Sequence, residues 1–374
     1  MSASPLSAAE VDLDDPEGLL AADRLGLLRA ASMAGAQVRA TAAALTEGDL
    51  DSVRSDTPPR TILWVAGHGT AETAGTMLAV LLGQSIGAPI VVASEAPAWI
   101  GALDVLVVAG DDPGHPALVT AAATAVRRGA RVVVVAPYEG PLRDATAGRS
   151  VALPPRLPVP DDFTLARYLA AGLAVLQAIA PGFSVDLSAL ADELDAEALR
   201  NSAGRDLFTN PAKGLAERMQ GRQVVFAGDS AATLALARHA CTVMLRIAHQ
   251  AVAAVGLTDA LVAIGSGWGR GTGTDATSIF HDEEIDGPLP ARTRTIVLTT
   301  DAERPAVSAR LRGFDDVHVV NANDVPDAPE VREQGGNSEP GSATTPGPTR
   351  PEQQLALLAV RLEMAAVYQR LVRG

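Results

Sequence analysis

The sequence predicts an α/β protein made of two doubly wound parallel-sheet domains followed by a C-terminal helix. Short apolar runs alternate with helical segments over most of the 374 residues. The runs are continuously apolar, which is typical of parallel strands covered on both faces. A strand, a glycine turn and a helix also follow one another twice, first from Thr61 and again from Gln223. Strand–helix alternation with short loops favours right-handed βαβ units, so each half should form its own parallel sheet.

The first domain is predicted over residues 1–180. An Ala- and Leu-rich segment over 16–47 indicates one or two helices, and Pro58 and Pro59 end it. Buried strands are then expected at 61–66, 89–93, 104–109, 131–136 and 150–153, with helices at 71–86 and 116–128. An amphipathic helix over 163–180 is expected to bridge the two halves.

The second domain is predicted over residues 181–325. Helices are expected at 186–200, after Pro211 and at 231–250, and strands at 223–227, 261–264, 294–299 and 317–321. Residues 326–351 carry Pro, Gly, Ser and Thr with few apolar residues, which predicts a disordered linker. The last segment, 352–374, is expected to be a helix with one apolar face packed on the rest of the chain.

Composition and charge exclude several classes of partner. The net charge is −14, and an acidic chain is a poor partner for nucleic acid and for anionic membranes. The single cysteine, Cys241, supports neither a disulfide nor a zinc site and is expected to be a buried, inert thiol. No signal peptide and no membrane-spanning run are predicted, so we expect a cytoplasmic protein.

The turn after the first strand is the main candidate for ligand contact. Ligands of open parallel sheets lie beyond the C-terminal strand ends, which is where Gly67, His68, Gly69 and Thr70 fall. Glycines let the backbone approach a ligand, and Thr70 is expected to cap the next helix. The turn could instead be a plain tight turn without a ligand. A second alternative is that the turn binds a nucleotide, as in Rossmann-like proteins. Glu72 occupies the third glycine position of the dinucleotide fingerprint, however.

The turn after the third strand carries a pair of carboxylates, of which Asp111 is the predicted ligand contact, together with Gly114. Paired carboxylates can do acid–base work or bind a metal, although a solvated loop is their commonest role. The Gly265–Gly273 run lacks a phosphate-binding lysine and is interpreted as a flexible loop. His281 stands beside three acids without a recognised metal-ligand spacing, so neither a metal nor a cofactor is predicted.

The two-half architecture, the Asn210–Ala216 segment and the Asp15–Gly18 opening resemble the double sugar-isomerase-domain (SIS) proteins. The resemblance covers most of the chain and is closest to bifunctional phosphoglucose/phosphomannose isomerases, in particular their actinobacterial TobH-like branch. It implies two SIS-type domains, a homodimer, and a sugar-phosphate ligand held by the first half. It further implies a catalytic glutamate on the first long helix of the second half and a ring-opening histidine soon after it.

The sequence departs from that pattern at each catalytic position. The loop around Asp111 has no hydroxyl residue, and no Asp or Glu occurs between Asp229 and Asp259. Residues 251–280 contain no histidine, which leaves His249 as the catalytic candidate on the helix, although a buried or capping histidine is commoner. Arg156 lies near, but out of register with, the arginine that the family carries before its linking helix.

The sequence therefore predicts a divergent SIS-domain protein that binds a sugar or sugar-phosphate-like molecule and has lost the isomerase groups. Two alternatives stay open. One is an active aldose–ketose isomerase with relocated catalytic groups, and the other is the nucleotide-binding protein.

Overall fold

A computed structural model of the chain describes residues 11–55, 57–67, 69–268, 293–314, 317–324 and 350–373. The first half holds a five-stranded sheet in the order β2-β1-β3-β4-β5, and every neighbouring pair is parallel. Its strands are β1 (Ile62–Ala66), β2 (Ile90–Ala93), β3 (Val105–Ala109), β4 (Arg131–Val135) and β5 (Val151–Ala152).

Helices flank this sheet and lead into the second half. In chain order they are α1 (Pro16–Ala22), α2 (Leu27–Ala31), α3 (Ala34–Thr46), α4 (Thr70–Leu82), α5 (Pro116–Arg127), α6 (Gly140–Thr146), α7 (Leu165–Ile179), α8 (Leu187–Arg200) and α9 (Pro211–Met219). Proline at the start of α1, α5, α6 and α9 fits the first helical turn, where no backbone N–H is needed.

The second half holds a four-stranded parallel sheet in the order β7-β6-β8-β9. Its strands are β6 (Gln223–Gly228), β7 (Ala253–Gly256), β8 (Thr293–Leu298) and β9 (Val317–Val320). The described helices of this half are α10 (Ala231–Arg246), α11 (Leu257–Gly265), α12 (Arg304–Arg310) and the C-terminal α13 (Pro351–Arg373). The predicted fold class, with two parallel-sheet halves and a terminal helix, is confirmed.

One large apolar core joins the two halves. In β1, Ile62 and Trp64 point into this shared core, whereas Leu63 and Val65 point to a smaller core under α5 on the other face. Both faces of the strand are therefore covered, which explains why its sequence is continuously apolar. The shared core also takes in α7, α10 and α13, so the two sheets are built around the same interior.

The C-terminal helix lies at the centre of this interior and is buried on nearly all sides. We expected one apolar face, yet its polar residues are buried as well. Arg361 is 1% exposed and its Nε donates to Oε1 of Glu197 at 2.8 Å. Its Nη1 donates to the backbone oxygen of Asn321 and its Nη2 to that of Ala322, both at 2.8 Å. One side chain of α13 thus ties α8 to the end of β9.

Two sequence predictions are wrong in this half. Residues 261–264 are not a strand but part of α11, and the strand is the preceding Ala253–Gly256. This edge strand is made of small residues and is only half-buried, so it lacks the apolar run that marked the others. Helix α10 ends at Arg246 rather than Gln250.

Three predictions fall wholly or partly outside the described residues. Of the predicted linker, residues 326–349 lie outside them, whereas Arg350 donates to the Ser184 carbonyl and Pro351 begins α13. Residues 269–273 of the Gly265–Gly273 loop and the His281 cluster also lie outside.

Candidate functional site

A cleft opens where β1 and β3 end, between the first sheet and helix α10 of the second half. Its walls come from the starts of α4 and α7, the segment before α7 and one face of α10. The lining residues are Gly69, Thr70, Asp111, Asp161, Asp162, Tyr168, His239, Thr242, Val243 and Arg246. The cleft has a volume of about 350 Å³ including its mouth. It occupies the C-terminal strand edge, where parallel sheets bind ligands.

The turn after β1 brings Gly69 and Thr70 to this cleft. Gly69 has φ +78°, a left-handed conformation that favours glycine, and it precedes the first residue of α4. Thr70 is that first residue and not the cap, which corrects the sequence prediction. Its hydroxyl lies 2.9 Å from the Thr164 hydroxyl at the start of α7. The turn is thereby linked to the segment that carries the acidic residues of the cleft.

Three carboxylates line the mouth of the cleft. Asp111 follows β3, and Asp161 and Asp162 lie just before α7. The Asp161 carboxyl is in hydrogen-bonding contact with Asp111. Burial, that contact and the nearby negative charge together raise the pKa of Asp161 to about 6. A protonated Asp161 can therefore donate to Asp111 below that pH, and the two carboxylates repel each other above it.

Arg246 supplies the positive charge of the cleft. Its Nε lies 2.8 Å from Oδ1 of Asp162, and the arginine side chain is 54% exposed. Asp162 is thus paired, whereas Asp111 and Asp161 face each other. The mouth of the cleft consequently carries more negative than positive charge.

The floor of the cleft is formed by two buried groups. His239 is 3% exposed, and its Nε2 lies 2.9 Å from Oε1 of Glu363 on α13. Burial raises the pKa of Glu363, although the histidine partly offsets the effect. Tyr168 is 1% exposed, and burial raises the pKa of its phenol to about 12. The tyrosine therefore stays a neutral hydroxyl over the physiological range.

The predicted contact residues divide between this cleft and its surroundings. Gly69, Thr70 and Asp111 line it, whereas Gly67 and Gly114 do not. The Gly67 N–H donates to the Ala109 carbonyl and so extends the pairing of β1 with β3, whereas the Gly114 N–H donates to Oδ1 of Asp112 within its own turn. His68 lies outside the described residues.

The candidate His249 lies away from the cleft. It follows α10, has φ +52° and is exposed, and its Nε2 lies 3.1 Å from Nη1 of Arg370. Arg156 is equally remote, since its Nη2 donates to Glu47 at 2.6 Å and to Asp49 at 2.8 Å. These two pairings raise the pKa of Arg156, chiefly through Glu47.

Sequence reasoning missed His239, which lies on the helix where His249 was chosen. The available signal was spacing, because His239, Val243 and Arg246 recur at helical intervals and share a face. Glu363 could not have been found, since the residue that it contacts, His239, lies 124 positions earlier in the chain.

The arrangement favours hydroxyl and amine groups over phosphate. Carboxylates accept hydrogen bonds from hydroxyls and pair with ammonium groups, whereas they repel an anion. Asp161 has a pKa near that of an ordinary acid–base catalyst. Among the described residues, no group of three or more His, Cys, Asp and Glu is placed to hold a metal ion. No described helix is long and apolar enough to cross a membrane.

Solved structures share the fold of this chain. They include a protein from Clostridium difficile 630 assigned as a phosphosugar isomerase, with 12% identity, a TM-score of 0.60 and 93% of each chain covered. The tagatose-6-phosphate ketose/aldose isomerase from Escherichia coli has 16% identity and a TM-score of 0.58, with 100% of this chain and 96% of that one covered. The C-terminal domain of glucosamine-fructose-6-phosphate aminotransferase from Francisella tularensis has 11% identity and a TM-score of 0.53, with 93% and 96% covered.

No protein-family model matches the sequence, and no curated protein is similar to it at the level of sequence. The solved structures show that the chain has the fold of SIS-type phosphosugar isomerases over nearly its whole length. At these low identities the likeness establishes the fold alone.

Proposed function

We propose that this protein binds an unphosphorylated carbohydrate, bearing free hydroxyl or amine groups, in the cleft between β1, β3 and α10. The observation that carries the proposal is the set of carboxylates at the cleft mouth, Asp111, Asp161 and Asp162, opposed among the described lining residues by Arg246. A hydroxyl or an ammonium group that donates to both Asp111 and Asp161 relieves their repulsion.

A phosphate at this strand edge is repelled by the same carboxylates. Two carboxylates within a few ångströms of a phosphate dianion cost on the order of several kcal/mol at an effective dielectric constant of about 20. Arg246, the arginine among the described lining residues, is already paired with Asp162 at 2.8 Å. We therefore propose that the isomerase chemistry of phosphosugars has been lost along with tight phosphate binding. The SIS resemblance and the solved structures that share the fold support a carbohydrate as the ligand class.

A thermal-shift screen tests the proposal, because a ligand that binds the native state raises the unfolding temperature by mass action. The panel pairs glucosamine with glucosamine 6-phosphate and fructose with fructose 6-phosphate, and it includes NAD and ATP. We expect unphosphorylated members to stabilise the protein more than their phosphorylated counterparts. A response confined to NAD or ATP would instead support the nucleotide-binding alternative.

Asp111→Asn is the diagnostic variant, with Asp112→Asn as its matched control. Both lie on the same loop, but only Asp111 lines the cleft, and Asn can keep the hydrogen bond that Asp112 accepts from the Gly114 N–H. Asp111→Asn should weaken binding of glucosamine and strengthen that of its 6-phosphate, whereas the control should change neither. Equal effects of both substitutions would refute a specific role for the cleft.

The carboxyl pair also favours a second candidate, an aldose–ketose isomerase with relocated catalytic groups. Asp161, with its pKa of about 6, could move a proton between adjacent carbons in place of the missing glutamate. Interconversion of glucose 6-phosphate or mannose 6-phosphate with fructose 6-phosphate, abolished by Asp161→Asn, would establish this function and overturn the first.

A further inference from the structure

A second cavity lies on the other side of α7, between α3, α7 and the segment that follows β5. We call it the α3–α7 cavity. It measures about 400 Å³ including its mouth and shares no lining residue with the cleft. Its polar members are Gln37, Thr41, Arg156 and Arg167, and its apolar walls are Ala40, Ala44, Leu153, Pro154, Leu157 and Ala171.

Two buried polar atoms in this cavity have no hydrogen-bond partner. One is Oε1 of Gln37, a residue 4% exposed, and the other is Nη2 of Arg167, a residue 8% exposed. The Gln37 amide cannot be turned round, because its Nε2 donates to the Phe163 carbonyl at 2.9 Å. Two residues that line the cavity therefore carry one unpartnered acceptor and one unpartnered donor. Buried polar groups of native proteins are normally satisfied, so this pair points to a missing partner.

The Arg167 guanidinium also lacks a counter-charge. Among the described residues no carboxylate forms an ion pair with it, and its charged contact is with the Tyr168 ring, whose centroid lies 4.7 Å away. Arg156, the other arginine that lines the cavity, is already paired with Glu47 and Asp49. A bridging water would satisfy both orphan atoms but would leave the buried cation uncompensated.

We propose that the α3–α7 cavity binds a small hydroxy-carboxylate, whose carboxylate pairs with Arg167 and whose hydroxyl donates to Oε1 of Gln37. The planar guanidinium matches a carboxylate, and Gln37 Oε1 requires an O–H or N–H donor. The alanine, leucine and proline walls contact the carbon skeleton. The site is separate from the carbohydrate cleft and does not depend on the function proposed for it.

Titration of the full chain with glycolate, acetate and ethylene glycol tests the proposal by calorimetry. Glycolate has both groups, acetate lacks the hydroxyl, and ethylene glycol lacks the carboxylate. We expect glycolate to bind about tenfold more tightly than acetate, and ethylene glycol to show no binding. This comparison uses only the unaltered protein. Equal binding of glycolate and acetate, or no binding of glycolate, would overturn the proposal and leave a bridging water as the occupant.

Variants test whether glycolate binds to the two unpartnered atoms, Oε1 of Gln37 and Nη2 of Arg167. Arg167→Gln should weaken glycolate binding by at least about tenfold. The matched control is Arg128→Gln, an exposed arginine after α5, which should bind as the unaltered protein does. Gln37→Met should reduce the preference for glycolate over acetate to near one. Unchanged binding in Arg167→Gln would contradict the assignment, whereas Asp111→Asn should leave glycolate binding unaffected and so separates this site from the cleft.

Discussion

Replacing Arg361 by methionine should destabilise the protein strongly, because the guanidinium is fully buried and bonds to a carboxylate and to two backbone carbonyls. In the native chain it makes two bonds to Glu197, at 2.8 and 3.3 Å, and one to each of the Asn321 and Ala322 carbonyls. Methionine fills the volume but leaves the Ala322 carbonyl without a donor among the described residues, whereas the Asn321 carbonyl keeps one backbone N–H donor at 3.2 Å. Glu197 then retains Arg200, at 2.8 Å, as its remaining cationic partner.

The magnitude follows from these contacts. Breaking a buried ion pair by removing one member costs about 3–5 kcal/mol. A matched control is Arg39→Met, since Arg39 also pairs with carboxylates of α8 but is 45% exposed. Exposed pairs contribute about 1 kcal/mol or less. Urea unfolding followed by far-ultraviolet circular dichroism gives both values, and a cost for Arg361→Met no larger than that of the control would refute the reasoning.

The Arg361–Glu197 pair also makes the stability of the protein depend on pH. Burial alone raises the pKa of Glu197, but Arg361 and Arg200 more than offset it, so the net pKa lies below the ordinary value of 4.5. A depressed pKa contributes stability that is present above the unfolded-state value and is lost as pH falls through the folded-state one. The cost of Arg361→Met should therefore shrink below about pH 4.

Three further outcomes are expected. Glu363→Gln should lessen the loss of stability as pH rises above the ordinary carboxyl pKa of 4.5, because burial raises the pKa of Glu363 and a carboxyl with a raised pKa disfavours folding as pH rises. An unchanged profile of urea midpoint against pH would contradict this. Asp161→Asn should likewise flatten the profile between about pH 4 and 6, the window between its ordinary pKa and its raised one, and a profile parallel to that of the native chain would count against the Asp111 contact. Gly228→Ala should cost about 1–3 kcal/mol in urea unfolding, because a Cβ there would collide with the backbone of Thr233 and Leu234, and a neutral result would show that α10 can shift.

Much of the fold could be predicted because its signals are local. The strand at Val105–Ala109 is marked by its own apolar run and by the glycine that follows it. The strand at Ala253–Gly256 carries no such mark, since its small residues lie at a half-exposed sheet edge. The sequence therefore predicts this strand eight residues too late, at 261–264.

The candidate site was only partly predictable because its members come from distant segments. Asp111 and Thr70 follow strands and could be placed at the same sheet edge. The contact of Asp161 with Asp111, and that of His239 with Glu363, depend on how α7, α10 and α13 pack together. No spacing in the sequence encodes that packing. The burial of α13 on all sides has the same origin, because its partners are drawn from both halves of the chain.

The central claim is that the cleft accepts a sugar and rejects its phosphate. Calorimetric titration of the full chain with glucosamine and with glucosamine 6-phosphate, at about pH 7.5, tests it most directly, because Asp161, with its pKa of about 6, is then ionised. We expect glucosamine to bind at least about tenfold more tightly than its 6-phosphate. Tighter binding of glucosamine 6-phosphate would contradict the claim.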